Sequence, residues 1–247
     1  MTKIDSFTKP NREYLSMEQL REEIKDLHKL HSVTKDFNHI IEYQPGSWKM
    51  FEPSKFIYSY FTFNTLYSYD WVKTVNEGKL CSHAKVSDDK GNEKEPTEGV
   101  KYKKMIDFIF ENKDSINSPE FIEILLNPNK NKKQKTKEHL KSTLKNITRD
   151  NRITESDRTN FINEFEKLLD SEIILKGKFK NDLIRFIYLV RNNIFHGTKN
   201  TIEMTGNSQR KRLDIYSNFL IATNHLLFKS LEQKLNFKLD INYTIKL

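Results

Sequence analysis

Residues 179–197 read FKNDLIRFIYLVRNNIFHG, and this stretch decides the fold. No proline or glycine interrupts it before Gly197. Leu183, Ile187, Val190 and Ile194 recur at the three- and four-residue spacing that places side chains on one face of an α-helix, with Phe186 beside them. Gly197 suits the left-handed position that commonly closes a helix. A second stretch of the same kind follows at 210–235, with Leu213, Tyr216, Leu220, Leu227 and Leu231 on its stripe. Two long helices joined by a short linker make an antiparallel helical hairpin over 179–235. The expected fold is all-α: an antiparallel helical bundle with additional helices and a basic, loop-rich middle segment.

The rest of the chain fits this frame as one domain over 1–247. Residues 16–35 read as a charged amphipathic N-terminal helix, with Met17, Leu20, Ile24, Leu27 and Leu30 or His31 at helical spacing. Pro45-Gly46 makes 36–52 a loop. Pro53 then suits the first turn of a helix running to about Thr74, whose stripe is Ile57, Phe61, Asn64, Tyr67 or Ser68, and Trp71. Residues 82–98 and 127–135 are polar linkers. Between and after them, helices are expected at 99–113, from Pro119 with Ser118 as its cap, at 136–147 and at 155–170, the last opened by the capping pattern Thr154-Glu155-Ser156-Asp157. The tail 236–247 alternates enough to form a short strand or to trail.

Composition narrows the classes. Seven glycines and six prolines in 247 residues favour long helices over a many-turned β-sandwich. The single cysteine, Cys81, excludes an intrachain disulfide and any multi-cysteine zinc site. No leader-like apolar segment or run of membrane-spanning length is evident, so a soluble cytoplasmic protein is expected. The formal charge of +8 suits an anionic partner and equally a lysine-rich solvated surface. From Lys130 to Arg149 eight Lys or Arg face one acid, Glu138, a run best read as a surface insertion. Arg210-Lys211-Arg212 and Lys199 lie close after the 179–197 helix, where a phosphate backbone would meet them.

The end of that helix carries the candidate chemistry. Arg191, Asn192 and His196 sit in its last turns. At about 3.6 residues per turn Asn192 and His196 stack on one face, and Arg191 lies roughly 140° around from His196. One copy therefore offers part of a site, and a second copy related by a two-fold axis would complete a phosphate-binding groove. Arg21 and His28 satisfy a similar Arg-to-His spacing, but acidic neighbours at Glu22, Glu23 and Asp26 surround them and no helix ends there. Spacing alone decides nothing, and position selects Arg191 and His196. The plain alternative keeps both structural, with His196 bonding the last helix carbonyls and Arg191 paired to an acid of the bundle.

The run Arg191-Asn192-Asn193-Ile194-Phe195-His196-Gly197 resembles the motif of HEPN proteins: an Arg followed by a polar residue, a short spacer and a His near the end of a bundle helix. The aromatic helix around Phe61-Thr62-Phe63-Asn64-Thr65-Leu66-Tyr67 resembles such proteins more loosely. The resemblance implies a metal-independent endoribonuclease, a toxin or anti-phage effector that cuts tRNA, mRNA or other single-stranded RNA. It implies a homodimer with a composite active site, no cofactor and no metal, and an antitoxin or defence-complex partner. His196 would be the acid or base, Arg191 the phosphate-binding fork, and Asn192 an orienting or phosphate-binding group. Lys199, Arg210, Lys211 and Arg212 would contact RNA. One branch of the family has a Tyr two residues past the His and is neutralised by nucleotide transfer; this chain has Thr198 there. The alternative is a non-catalytic HEPN-like RNA- or nucleotide-binding subunit of a larger defence complex.

Other histidines and aromatics read as structural. His28 and His31 fit a solvated charged face, and His139 and His225 fit packing or surface positions. Cys81-Ser82-His83 lacks the second cysteine a metal site would need. Tyr58, Tyr60 and Trp71 read as core rather than a base-stacking platform.

Overall fold

The computed structural model describes residues 16–43, 51–111, 125, 138, 141, 155–171 and 206–239. Six helices and one small hairpin lie within these: α1 (Met17–Tyr43), α2 (Phe51–Tyr67), α3 (Trp71–Glu77), β1 (Val86–Ser87), β2 (Glu93–Lys94), α4 (Glu98–Glu111), α5 (Glu155–Ser171) and α6 (Asn207–Leu235). The described residues are mostly helical, as the scarcity of glycine and proline predicts. None of their helices is long and apolar enough to cross a membrane.

Helix α6 is the axis of the core. Every residue from Ser217 to Phe228 is buried, so this stretch is enclosed on all sides rather than along one stripe. Two of its buried hydroxyls bond back to the helix: Ser217 and Thr223 donate to the carbonyls four residues earlier, each at 2.7 Å. Helix α2 packs along α6 more extensively than any other described element. The two run parallel, because Glu52 meets Arg210 and Lys55 meets Asp214 and Asn218 in the same chain order. Helix α1 runs antiparallel to α6, with Arg21 at the carbonyl of Leu235 and His31 level with His225. Its Thr34 meets Thr62 of α2 at 3.1 Å. Helix α4 closes another side through Tyr102 against Phe63 and Phe108 under the Lys234 ammonium. Phe165 of α5 packs on Phe219.

Several elements match expectation within a few residues: α4, α5 and α6 occupy the predicted 99–113, 155–170 and 210–235. Others differ for identifiable reasons. Helix α1 continues to Tyr43 where a loop was expected from residue 36, because the segment 36–43 holds no glycine or proline. It ends just before Gln44, the residue that Pro45 steers away from helical backbone.

The helix expected to reach Thr74 breaks after Tyr67. Asp70 takes extended backbone and caps α3, its carboxylate accepting from the N–H of Lys73 at 3.2 Å. The Asp70 N–H donates to the Cys81 carbonyl and the Trp71 indole to the Leu66 carbonyl, both at 2.8 Å, which fixes the bend. Gly78 closes α3 at φ +66°, a left-handed conformation, and a Cβ there would lie 2.9 Å from the Met17 sulfur. Within the polar stretch 82–98 a hairpin forms. Asp88 accepts from the N–H groups of Lys90 and Asn92 at 2.9 Å, and Gly91 turns at φ +78°.

The buried face of α2 matches the predicted stripe only at Tyr67. Phe56, Tyr60, Phe63 and Leu66 are buried, whereas Tyr58 and Phe61 are 51% and 54% exposed. Apolar residues surround this helix on nearly every side, so periodicity does not select a face. Tyr58 is thus an exposed aromatic, unlike Tyr60 and Trp71, which are core as expected. On α1 the buried stripe is Leu20, Ile24, His28 and His31, with Leu27 half-buried and Leu30 exposed. The helices expected from Pro119 and at 136–147 and 179–196, the 127–135 linker and the tail from 240 lie wholly or largely outside the described residues.

Candidate functional site

Arg191, Asn192, His196, Gly197 and Lys199 lie outside the described residues. What the structure describes is the helix that follows them. Helix α6 opens a short way past His196, with Gly206 as an N-cap that offers no side-chain acceptor. Arg210, Lys211 and Arg212 fall in its first two turns. The Lys211 side chain is outside the described set, and Arg212 is half-buried.

Arg210 is held within the protein. Its Nε and Nη2 donate to the two carboxylate oxygens of Glu52 at 2.6 and 2.7 Å, a two-point fork between the starts of α6 and α2. Both side chains are mostly covered, 16% and 17% exposed. The Glu52 bonds raise the Arg210 pKa further, and the guanidinium stays charged at any working pH.

One turn further along, the Lys55 side chain is fully buried. Its ammonium donates to Asp214 Oδ1 at 2.6 Å and to Asn218 Oδ1 at 2.7 Å. A buried ammonium is tolerated only with such partners. Glu52–Arg210 and Lys55–Asp214–Asn218 therefore form two rungs of opposite polarity between α2 and α6. Of these five residues, sequence reasoning singled out Arg210 alone. The available signals were a lysine inside the aromatic run of α2 and an aspartate between Leu213 and Ile215.

The histidines expected on a solvated face are buried. His28 packs edge-on to Phe228 with ring centroids 4.9 Å apart, and His31 lies 5.4 Å from the same ring and 6.2 Å from His225. They extend the Leu20–Ile24 stripe by further turns, and the charge of their neighbours concealed this. His225 is a packing residue. Arg21, the partner of His28 in the second spacing match, donates to the Leu235 carbonyl at 2.8 Å and so caps α6. Both residues of that match have structural work, a firmer reason to set it aside than the acids around it.

Cys81 and His83 belong to the bend after α2. Burial, followed by the Glu77 carboxylate, pushes the Cys81 thiol up, so it is not an activated nucleophile. His83 Nε2 bonds the Tyr67 carbonyl at 2.9 Å, and its Nδ1 lies 3.7 Å from Asp70. Burial opposes ionisation of Asp70, but the Lys73 N–H, the Lys104 ammonium and His83 together hold its carboxyl below the usual value. Among the described residues no three His, Cys, Asp or Glu side chains are placed to share a metal ion.

No family model matches the chain, and neither a curated protein nor a solved structure matches it.

Proposed function

We propose that this chain is a metal-independent endoribonuclease of the HEPN type, with Arg191, Asn192 and His196 as its reacting constellation. The observation that carries the reading is the run Arg191-Asn192-Asn193-Ile194-Phe195-His196-Gly197 at the end of an apolar helical sequence. The mostly helical core, with the long α6 following this run, supports it.

RNA brings its own nucleophile, the 2′-hydroxyl. Attack of the 2′-oxygen on the adjacent phosphorus forms the new P–O bond, and the bond to the 5′-oxygen breaks. The 2′ proton goes to a base and a proton reaches the departing 5′-oxygen, leaving a 2′,3′-cyclic phosphate and a 5′-hydroxyl. An imidazole is the side chain suited to proton transfer near neutral pH, so His196 serves one of these transfers, with the same residue of a second copy available for the other. The Arg191 fork binds the phosphate oxygens, where charge grows during attack. Asn192 orients the imidazole or the phosphate. Lys199, Lys211 and Arg212 supply positive charge along the RNA backbone. The substrate is tRNA, mRNA or other single-stranded RNA, and the role is that of a cytoplasmic toxin or anti-phage effector, a homodimer held in check by an antitoxin or defence partner.

Expression in a bacterial host tests this. The wild-type chain is expected to arrest growth and to leave cyclic-phosphate ends on cut RNA. Arg191→Ala and His196→Ala are expected to abolish both while preserving the circular dichroism spectrum and melting temperature. A purified wild-type chain that leaves tRNA, mRNA and synthetic single strands intact, even with host extract added, would overturn the proposal. RNA binding retained without cutting would point to a binding subunit instead.

A further inference from the structure

We infer that Glu52 and Lys55 set the register in which α6 lies along α2, and that Arg210 is a positioning residue acting through that register rather than an RNA contact. The second half of this statement rests on the ribonuclease reading above; the first does not.

The charge order of the two rungs carries the argument. Along α2 the order is acid then base, Glu52 and Lys55; along the parallel α6 it is base then acid, Arg210 and Asp214. Sliding α6 forward by one turn, about 5.4 Å, would bring Arg210 level with Lys55. Sliding it back by one turn would bring Asp214 level with Glu52. Either slip replaces attraction by repulsion, and each leaves a covered charge without its partner. The apolar contacts discriminate far less. Helix α6 is buried all round over 217–228 and α2 is aromatic on most sides, so a slipped pair would still bury hydrocarbon. Polar groups that penalise wrong registers are the best-attested use of a buried ion pair.

The same geometry separates the three basic residues at the start of α6. Two donors of the Arg210 guanidinium are taken by a carboxylate in a mostly covered fork. Arg212 follows about 200° around the helix, away from the Glu52 side. A one-turn slip would carry Lys211 and Arg212 along with it, so the register decides where positive charge meets the RNA.

The test uses the full chain carrying His196→Ala, so that a labelled mixed-sequence single-stranded RNA is bound without being cut. Added to it are E52Q, R210Q, E52R, R210E and the E52R/R210E swap. Affinity is measured across a range of salt, and thermal unfolding is followed in parallel. R210E and E52R are each expected to lower both affinity and melting temperature, with affinity falling about fivefold or more. The swap restores the pair but leaves two bases on α2 facing two acids on α6, so a slipped register is no longer repelled; it is expected to recover melting temperature but not affinity. R210Q should weaken binding without changing the slope of log K against log salt. A slope reduced by about 0.7, the signature of one lost phosphate contact on a single strand, would overturn the positioning role. Should R210E or E52R fail to fold, E52Q, R210Q and the swap still carry the comparison. If no RNA is bound and the parent chain cuts none, the ribonuclease reading falls and the register lock is judged on unfolding alone. Melting-temperature losses in E52R and R210E that merely add in the swap would overturn the lock, as would a swap that binds RNA as tightly as its parent.

Discussion

The carboxylate of Glu52 and the guanidinium of Arg210 meet at 2.6 and 2.7 Å across 158 residues of sequence, joining the first turn of α2 to the first turn of α6. Because the fork is mostly covered, its contribution is expected to exceed that of an exposed pair and to resist salt. Glu52→Gln keeps the shape and removes the charge. It is expected to cost about 1.5–3 kcal/mol, the range for hydrogen bonds to charged groups. Urea unfolding at low and high salt checks this, and a loss that vanishes in salt would contradict it.

Lys55 makes a sharper test of the core. Asp214→Ala leaves the buried ammonium with the Asn218 side-chain carbonyl as its acceptor, and the expected loss is about 3–5 kcal/mol. Adding Lys55→Met to Asp214→Leu replaces the pair by hydrocarbon and is expected to recover most of that loss. Chemical denaturation of the two variants beside wild type measures the difference. Equal losses in both would show that the ammonium is not a buried charge in need of a partner.

At Gly78 the backbone conformation sets the outcome. Its φ of +66° suits glycine, and Gly78→Ala is expected to cost about 1–2 kcal/mol for the left-handed backbone. The nearby Met17 side chain is flexible and can yield. In a chain of this size each kcal/mol lowers Tm by roughly 2–4 °C, which calorimetry resolves. An unchanged Tm would mean that α3 ends differently.

Asp70 predicts an acid dependence whose sign follows from its direction of shift. Its carboxyl is held below the ordinary value of 3.8, so the ionised form is favoured by the fold. That stabilisation is present in full above the ordinary value and disappears as pH falls through the lowered one. Asp70→Asn retains an acceptor for the α3 cap. Its stability is therefore expected to fall less steeply than that of wild type between pH 5 and pH 2. Parallel acid titrations followed by Trp fluorescence are suitable, since Trp71 is the adjacent residue.

How much of this was legible in the sequence depends on range. Helices α4, α5 and α6 could be placed because their apolar spacing and caps are local signals. The inward face of α2 could not, since Phe56, Tyr58, Tyr60, Phe61 and Phe63 leave no polar side to mark the solvent. His28 and His31 were misplaced because charged neighbours outweighed their regular spacing from Leu20 and Ile24. Glu52 and Lys55 were invisible, because a rung exists only once α6 lies beside α2. The Arg191–His196 run reads as a motif at an expected helix end, and both the helix and the arrangement lie outside the described residues.

The burial of α6 on all sides also has a consequence for biosynthesis. Helices α1, α2 and α4 are translated first, yet the surface they close upon is supplied by residues 207–235. Until that segment leaves the ribosome, Phe56 lacks Tyr216, Phe108 lacks the Lys234 ammonium above its ring, and the Lys55 ammonium has no Asp214 beside it. The nascent chain must wait with an aromatic surface open to chaperones. On the ribonuclease reading, the cell would be spared an active site until residues 207–235 have emerged, because the core matures only then.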